Sequence, residues 1–170
     1  MSQLYQCGVR MVLPLVLFCA AAAASVYAAP ASVEGAVQLN LRTLDGRREV
    51  DLSEWRGRPV LVNFWASNCA PCVKELPLLA SQARQWPQMP FVGVAMDQQS
   101  KAWPFAQAVG VGYVQLVASP TDTALLARFG NHLQALPFTA VLNRQHQICT
   151  VRFGALDRVW IGKAVQACTA

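Results

Sequence analysis

Charge is scarce in this chain. Of its 170 residues only 14% are Asp, Glu, Lys or Arg, while 54% are hydrophobic, a balance that excludes a disordered protein. Histidine is scarcer: His132 and His146 stand apart, in no His-x-x-x-His pair. No second cysteine pair repeats the spacing of Cys69 and Cys72, so the four-ligand pattern of a structural zinc site is not met. Runs of Lys or Arg are missing too. The net charge of +5, or +4 once Arg10 and the rest of residues 1–28 are set aside, reads as ordinary surface charge. It argues for neither nucleic acid nor an acidic substrate. What remains is long enough for one domain with a sizeable core.

Much of the apolar excess lies at the start. Met1 to Ser25 carries one charge, Arg10, followed by an apolar stretch from Met11 to Ala20 and four more alanines. Val26-Tyr27-Ala28 then places small residues where a signal peptidase reads, which predicts an export signal over 1–28 cut before Ala29. The rival is an uncleaved anchor, since Met11 to Ala29 is just long enough to cross a bilayer. A lipid on Cys19 is disfavoured by bulky Phe18 before it. Export implies an oxidising compartment such as the periplasm, where disulfides persist.

Cys69-Ala70-Pro71-Cys72 carries the chemistry. An apolar run, Asn63-Phe64-Trp65-Ala66, delivers the pair to the start of a helix. Two thiols at this spacing form a small disulfide and reopen it. The positive end of a helix stabilises the thiolate of the first cysteine, and such sites lower the thiol pKa to about 3.5–7.5. Stability alone does not explain the pair, because so short a loop removes little entropy from the unfolded chain. Cys69 is the candidate nucleophile, and Cys72, one helical turn on and facing inward, the candidate resolving thiol. Glu75 follows three residues later on the same side of the helix and is the candidate proton acceptor for Cys72. Its alternative is a solvated residue near a helix N-terminus.

Along the chain, 29–36 reads as a linker. Val37–Leu41 and Arg48–Leu52 alternate around Asp45-Gly46, a hairpin signal. Val60–Trp65 and Phe91–Met96 read as buried strands. Helices are expected over Cys72–Trp86, kinked at Pro77, and over Lys101–Val109, Thr121–Phe129 and Leu156–Ala167. Further strands fall at Gly112–Val117, Phe138–Leu142 and Gln147–Phe153. The order is α/β with a mixed central sheet. Cys149 and Cys168 are the only other cysteines left after cleavage. An even count in an exported chain predicts a structural disulfide between them.

In combination these residues resemble the thioredoxin superfamily, in its exported TlpA-like and ResA-like branch, over roughly residues 37–165. The hairpin segment, Leu52 to Ser67, the Cys69–Cys72 motif, Pro77 and Leu136-Pro137 carry the likeness. It implies a thioredoxin-like domain over 37–170 with an added N-terminal β-hairpin, and a cis bond before Pro137. It also implies substrate contacts through Leu136 and Pro137. Phe64 and Trp65 read as core packing, with Trp65 partly lining the site as well. The chain departs from the pattern at Asn68, where relatives have Trp, and at Phe138, where they have Thr. Asn63 stands where thioredoxins proper have a buried Asp, which leaves the acid–base role to Glu75. His132, in the loop before Pro137, is a weaker candidate for approaching Cys69.

The likeness implies a protein-disulfide reductase without cofactor or resident metal. Its partners would be cysteine-containing exported proteins, such as those with haem-attachment cysteines in cytochrome c maturation, together with a membrane electron donor. Membrane attachment follows only if the N-terminal segment is kept. Ala70-Pro71 offers neither charge nor His between the thiols, which points to a reducing couple. The rivals are a dithiol oxidase or isomerase on the same fold, and a copper-binding chaperone using Cys69 and Cys72.

Overall fold

The computed structural model describes residues 35–169. The expected export signal at 1–28 and most of the linker lie outside them. No described helix is long and apolar enough to cross a membrane.

Two short strands, β1 (Asn40–Arg42) and β2 (Glu49–Asp51), pair antiparallel around Gly46, whose φ of 75° fits the turn. The ladder is shorter than the alternation suggested. Val37 and Leu39 are buried, but their backbones bond to His146 and Leu52 rather than extending the ladder. A 3-10 turn, Leu52–Trp55, follows. Asp51 and Glu54 close it with reciprocal bonds that satisfy its free N–H groups.

The central sheet holds β3 (Val60–Trp65), β4 (Phe91–Met96), β5 (Val114–Ala118), β6 (Phe138–Leu142) and β7 (Ile148–Phe153) in the order β5-β4-β3-β6-β7. β3, β4 and β5 run parallel; β6 and β7 are antiparallel to their neighbours. Strands β3, β4 and β6 are buried throughout, as their unbroken apolar runs require of a sheet covered on both faces. The hairpin meets the β5 edge through a Thr43–Leu116 bridge.

Helices α1 (Ala70–Gln85), α2 (Gln99–Val109), α3 (Thr123–Arg128) and α4 (Arg158–Thr169) complete the fold. On one face Val62, Phe64, Val94 and Phe138 pack against Leu125, Leu126 and Phe129 of the α3 region and against the hairpin. On the other, Leu61, Trp65, Phe91, Ala95 and Val141 pack under Cys72, Leu76 and Leu79 of α1, with α2 and α4 beside them. α1 begins two residues before the expected start. Pro71 fits there because the first turn has no use for its missing N–H. The helix runs on through Pro77, which is exposed.

Cys149 on β7 and Cys168 on α4 form a disulfide across a Cα separation of 5.9 Å. It ties the last helix to the edge strand through a loop of 19 residues in sequence. Replacing Cys168 with Ser should lower unfolding stability by about 2–4 kcal/mol, read by urea denaturation. The Cys69–Cys72 couple should keep its potential, because the bridge is on α4 and not on α1.

Candidate active site

β3 ends at Trp65 and hands the chain to Ala66-Ser67-Asn68, the loop before the motif. Asp97, just past β4, accepts from both the backbone N–H and the hydroxyl of Ser67 and so fixes this loop. Burial works against the Asp97 charge, yet the Ser67 bonds prevail and hold its carboxyl below the usual range. Cys69 is the N-cap of α1; its carbonyl accepts the first helical bond, from Val73 N–H at 3.1 Å. No side chain caps this helix and no acid lies in its first turn. The positive helix end is therefore left for the Cys69 sulfur. Cys69 and Cys72 are joined as a disulfide, with Cα atoms 5.3 Å apart. Cys69 is half-buried and Cys72 has no exposed surface.

Glu75 is only 3% exposed, so the solvated alternative is set aside. Its Oε1 accepts from Asn63 Nδ2 at 2.8 Å and its Oε2 from Leu156 N–H at 2.9 Å. Burial pushes its pKa up, and these two bonds only partly offset the push. A carboxyl moved upward from 4.5 is closer to the proton affinity that a thiol donor at neutral pH requires. Asn63 also donates to Thr139 Oγ1 at 3.1 Å, so β3 and β6 together form the floor beneath the acid.

The Leu136–Pro137 bond is cis. Antiparallel pairing of Phe64 with Phe138 places this dipeptide at the sheet end from which β3 leaves for the motif. Leu136 is half-buried and, like Cys69, borders the core under α1. The preceding loop is folded by buried Asn131, whose amide bonds both ways with Ala135. His132 is exposed on that loop.

Trp65 does not line the site: it has no exposed surface. Alternation along β3 turns it to the α1 face, where it packs against Phe105 at 6.1 Å between ring centroids. Its indole N–H donates to Gln115 Oε1 at 3.0 Å. It is a core residue, and substrate contact there is excluded by burial. Asp97, Asn131, Thr139 and Gln115 were not singled out from sequence. Each acts through a partner far along the chain or through a loop, and nothing local announces them.

A disulfide one turn wide at a helix start, on a thioredoxin-like sheet with a buried acid behind the second cysteine, defines the class of thiol-disulfide oxidoreductases. Residues 34–157 match the AhpC/TSA family, and the chain belongs to it. It is similar to the thiol-disulfide oxidoreductase ResA of Bacillus subtilis (strain 168), at 29% identity over 162 residues, covering 90% of this chain and 88% of ResA. Among solved structures it resembles MTB dsbF, described in mixed oxidized and reduced forms. That match has a TM-score of 0.67, 29% identity, and covers 78% of this chain and 96% of that one. A putative thiol:disulfide interchange protein DsbE from Chlorobium tepidum shares the fold, with a TM-score of 0.70 at 19% identity over 82% of this chain and 99% of that one.

Glu75 has a consequence for stability against pH. Its folded pKa is raised, so folding favours its protonated form. The stabilisation is fully present below the unfolded value near 4.5 and is lost as pH rises through the folded value. Glu75→Gln cannot ionise. Its denaturation midpoint should therefore stay flat where that of the wild type declines above pH 4.5. Parallel curves for the two proteins would contradict the assigned shift.

Proposed function

We propose that the protein is an exported protein-disulfide reductase, with Cys69 as nucleophile, Cys72 as resolving thiol and Glu75 as proton acceptor. The observation that carries this reading is the Cys69–Cys72 pair at the uncapped start of α1, with Glu75 buried one turn behind Cys72. The likeness to ResA supports it.

The cycle balances as two exchanges. A dithiol donor first reduces Cys69–Cys72 and is itself oxidised to a disulfide. The Cys69 thiolate then attacks one sulfur of a substrate disulfide. A mixed disulfide forms, and the substrate's other sulfur leaves as a thiolate and takes a proton. The Cys72 thiol gives its proton to Glu75 and, as thiolate, attacks Cys69 Sγ. The Cys69–Cys72 bond closes and the second substrate thiol is released. The substrate gains two electrons and the protein loses two. Leu136 and Pro137, at the same sheet end, are the backbone against which an extended substrate segment lies.

Residues 1–28 would act as the export signal, or Met11–Ala29 as an anchor, which places the domain in the periplasm. Reduction there needs a membrane donor, and the substrates fit exported proteins that must present free cysteines, as in cytochrome c maturation. With Ala70 and Pro71 between the thiols, no charged side chain there adds to the helix end in stabilising the reduced state. The couple should lie nearer about −270 mV, where thioredoxin sits, than about −120 mV, where the strong dithiol oxidants sit. Equilibration with dithiothreitol buffers reads this directly, and a value at the oxidising end would favour the oxidase. Cys72→Ser should in addition accumulate exported proteins disulfide-bonded to Cys69. Recovery of none from oxidised extracts would count against protein substrates.

A further inference from the structure

One polar row crosses the otherwise apolar sheet face beneath α1. Strand pairing sets Thr139, Asn63, Gly93 and Gln115 side by side on β6, β3, β4 and β5. Gly93 contributes no side chain, and the Gln115 amide lies over it so closely that a Cβ there would collide with it. Asn63 and Gln115 therefore flank Gly93 on either side, with the Gln115 amide lying over the glycine.

Three buried polar atoms in this region have no hydrogen-bond partner: Asn63 Oδ1, Gln115 Nε2 and the Tyr113 hydroxyl. Such atoms are costly and rarely left alone. With Nδ2 directed to Glu75 Oε1 and Thr139 Oγ1, the Asn63 oxygen is turned away from both. This orientation suits an ionised Glu75, which only accepts. A protonated Glu75 has an O–H to donate, and an N–H facing it is then the wrong partner. Half a turn of the amide corrects this. Oδ1 then accepts from both Glu75 and the Thr139 hydroxyl, and Nδ2 faces the Gly93 side. That side is where Gln115 lies across Gly93, its Oε1 accepting from Trp65 with one lone pair still free.

We propose that the Asn63 amide rotates by half a turn each time Glu75 gains or loses a proton, so that one residue solvates both states of the acid. Asn63 is thus a positioning residue for the exchange reaction. The inference rests on Glu75 receiving the Cys72 proton in the cycle above. When the Cys72 S–H bond breaks and a Glu75 O–H bond forms, the new O–H is donated to Asn63 Oδ1. An Asp at 63 would instead set two buried carboxyls against each other, to share one proton.

The groups around Glu75 leave the coupling simple. Cys72 is on its own helix, and the Tyr113 phenol comes from the start of β5. Burial, with the Glu75 charge adding to it, pushes that phenol far above its ordinary value against the opposing Gln115 amide. β3, β6 and the loop before α4 present Asn63, Thr139 and the Leu156 N–H. Arg152 on β7 is paired at the surface with Asp157, and Lys74 on α1 is exposed.

The test is NMR on the oxidised protein, where Cys69 and Cys72 are bonded and do not titrate. Between pH 4 and pH 9 (a range of about five units around the ordinary carboxyl and thiol values) the Glu75 carboxyl carbon gives the acid's midpoint. Above it, the Asn63 side-chain N–H protons should show NOEs to Glu75 and Thr139. Below it, the NOEs should move to Gly93 Hα and the Gln115 amide, with the same midpoint. In Glu75→Gln the pattern should not change with pH. NOE partners that stay the same on both sides of the Glu75 midpoint would overturn the proposal. Because the readout involves no thiol exchange, that outcome is distinct from a failure of the reductase reading, which would appear in the potential and the trapping experiment.

Discussion

A carboxyl group held out of water is the constraint on which the site turns. Glu75 is covered by α1 and by the sheet, and among the described residues two donors bond to it, the Asn63 amide and the Leu156 backbone N–H. An ion so placed carries a desolvation cost, which is why its proton affinity rises. On the proposed cycle that cost has a use, because Cys72 is equally buried and its thiol would need a proton acceptor close by. A solvent-exposed acid would have too low an affinity, and an apolar residue none.

The rest of the fold holds that pair in place. β3 runs through the middle of the sheet and ends where α1 begins, so its alternating face delivers Asn63 under the helix and its last residue leads into the motif loop. Asp97 fastens the loop from the next strand, and the cis Leu136–Pro137 bond comes from the strand on the other side. The Cys149–Cys168 bridge secures α4, which together with α2 covers the remaining flank of the same core. Half-buried Cys69 and fully buried Cys72 are thus separated by a single helical turn.

What was legible in the sequence followed from locality. Cys69, Cys72 and Glu75 follow at three-residue intervals, about one turn each, along the start of one helix, so spacing alone related them. The buried strands β3, β4 and β6 announced themselves by unbroken apolar runs. The strand register was not legible, and with it went the polar row: Thr139 is 76 residues from Asn63, yet the two side chains bond. Trp65 is the core residue its apolar run suggests, but its partial lining role fails for a related reason. An aromatic residue four positions before a catalytic cysteine suggests a lining surface. Strand alternation instead aims it at Gln115, 50 residues away, and buries it entirely. Element ends moved by a few residues wherever backbone partners lay outside the ladder, as at Val37 and Leu39.

The central claim is that Glu75 takes the proton from Cys72. The most direct measurement is the rate at which a pre-formed mixed disulfide on Cys69 is resolved, followed by stopped flow across pH in the wild type and in Glu75→Gln. The account predicts that the wild-type rate rises as Glu75 ionises and then levels. In the variant, resolution should wait on direct ionisation of the Cys72 thiol and be slower at neutral pH by about 10²–10⁴-fold, the usual contribution of a positioned base. Superimposable pH profiles for the two proteins would contradict it.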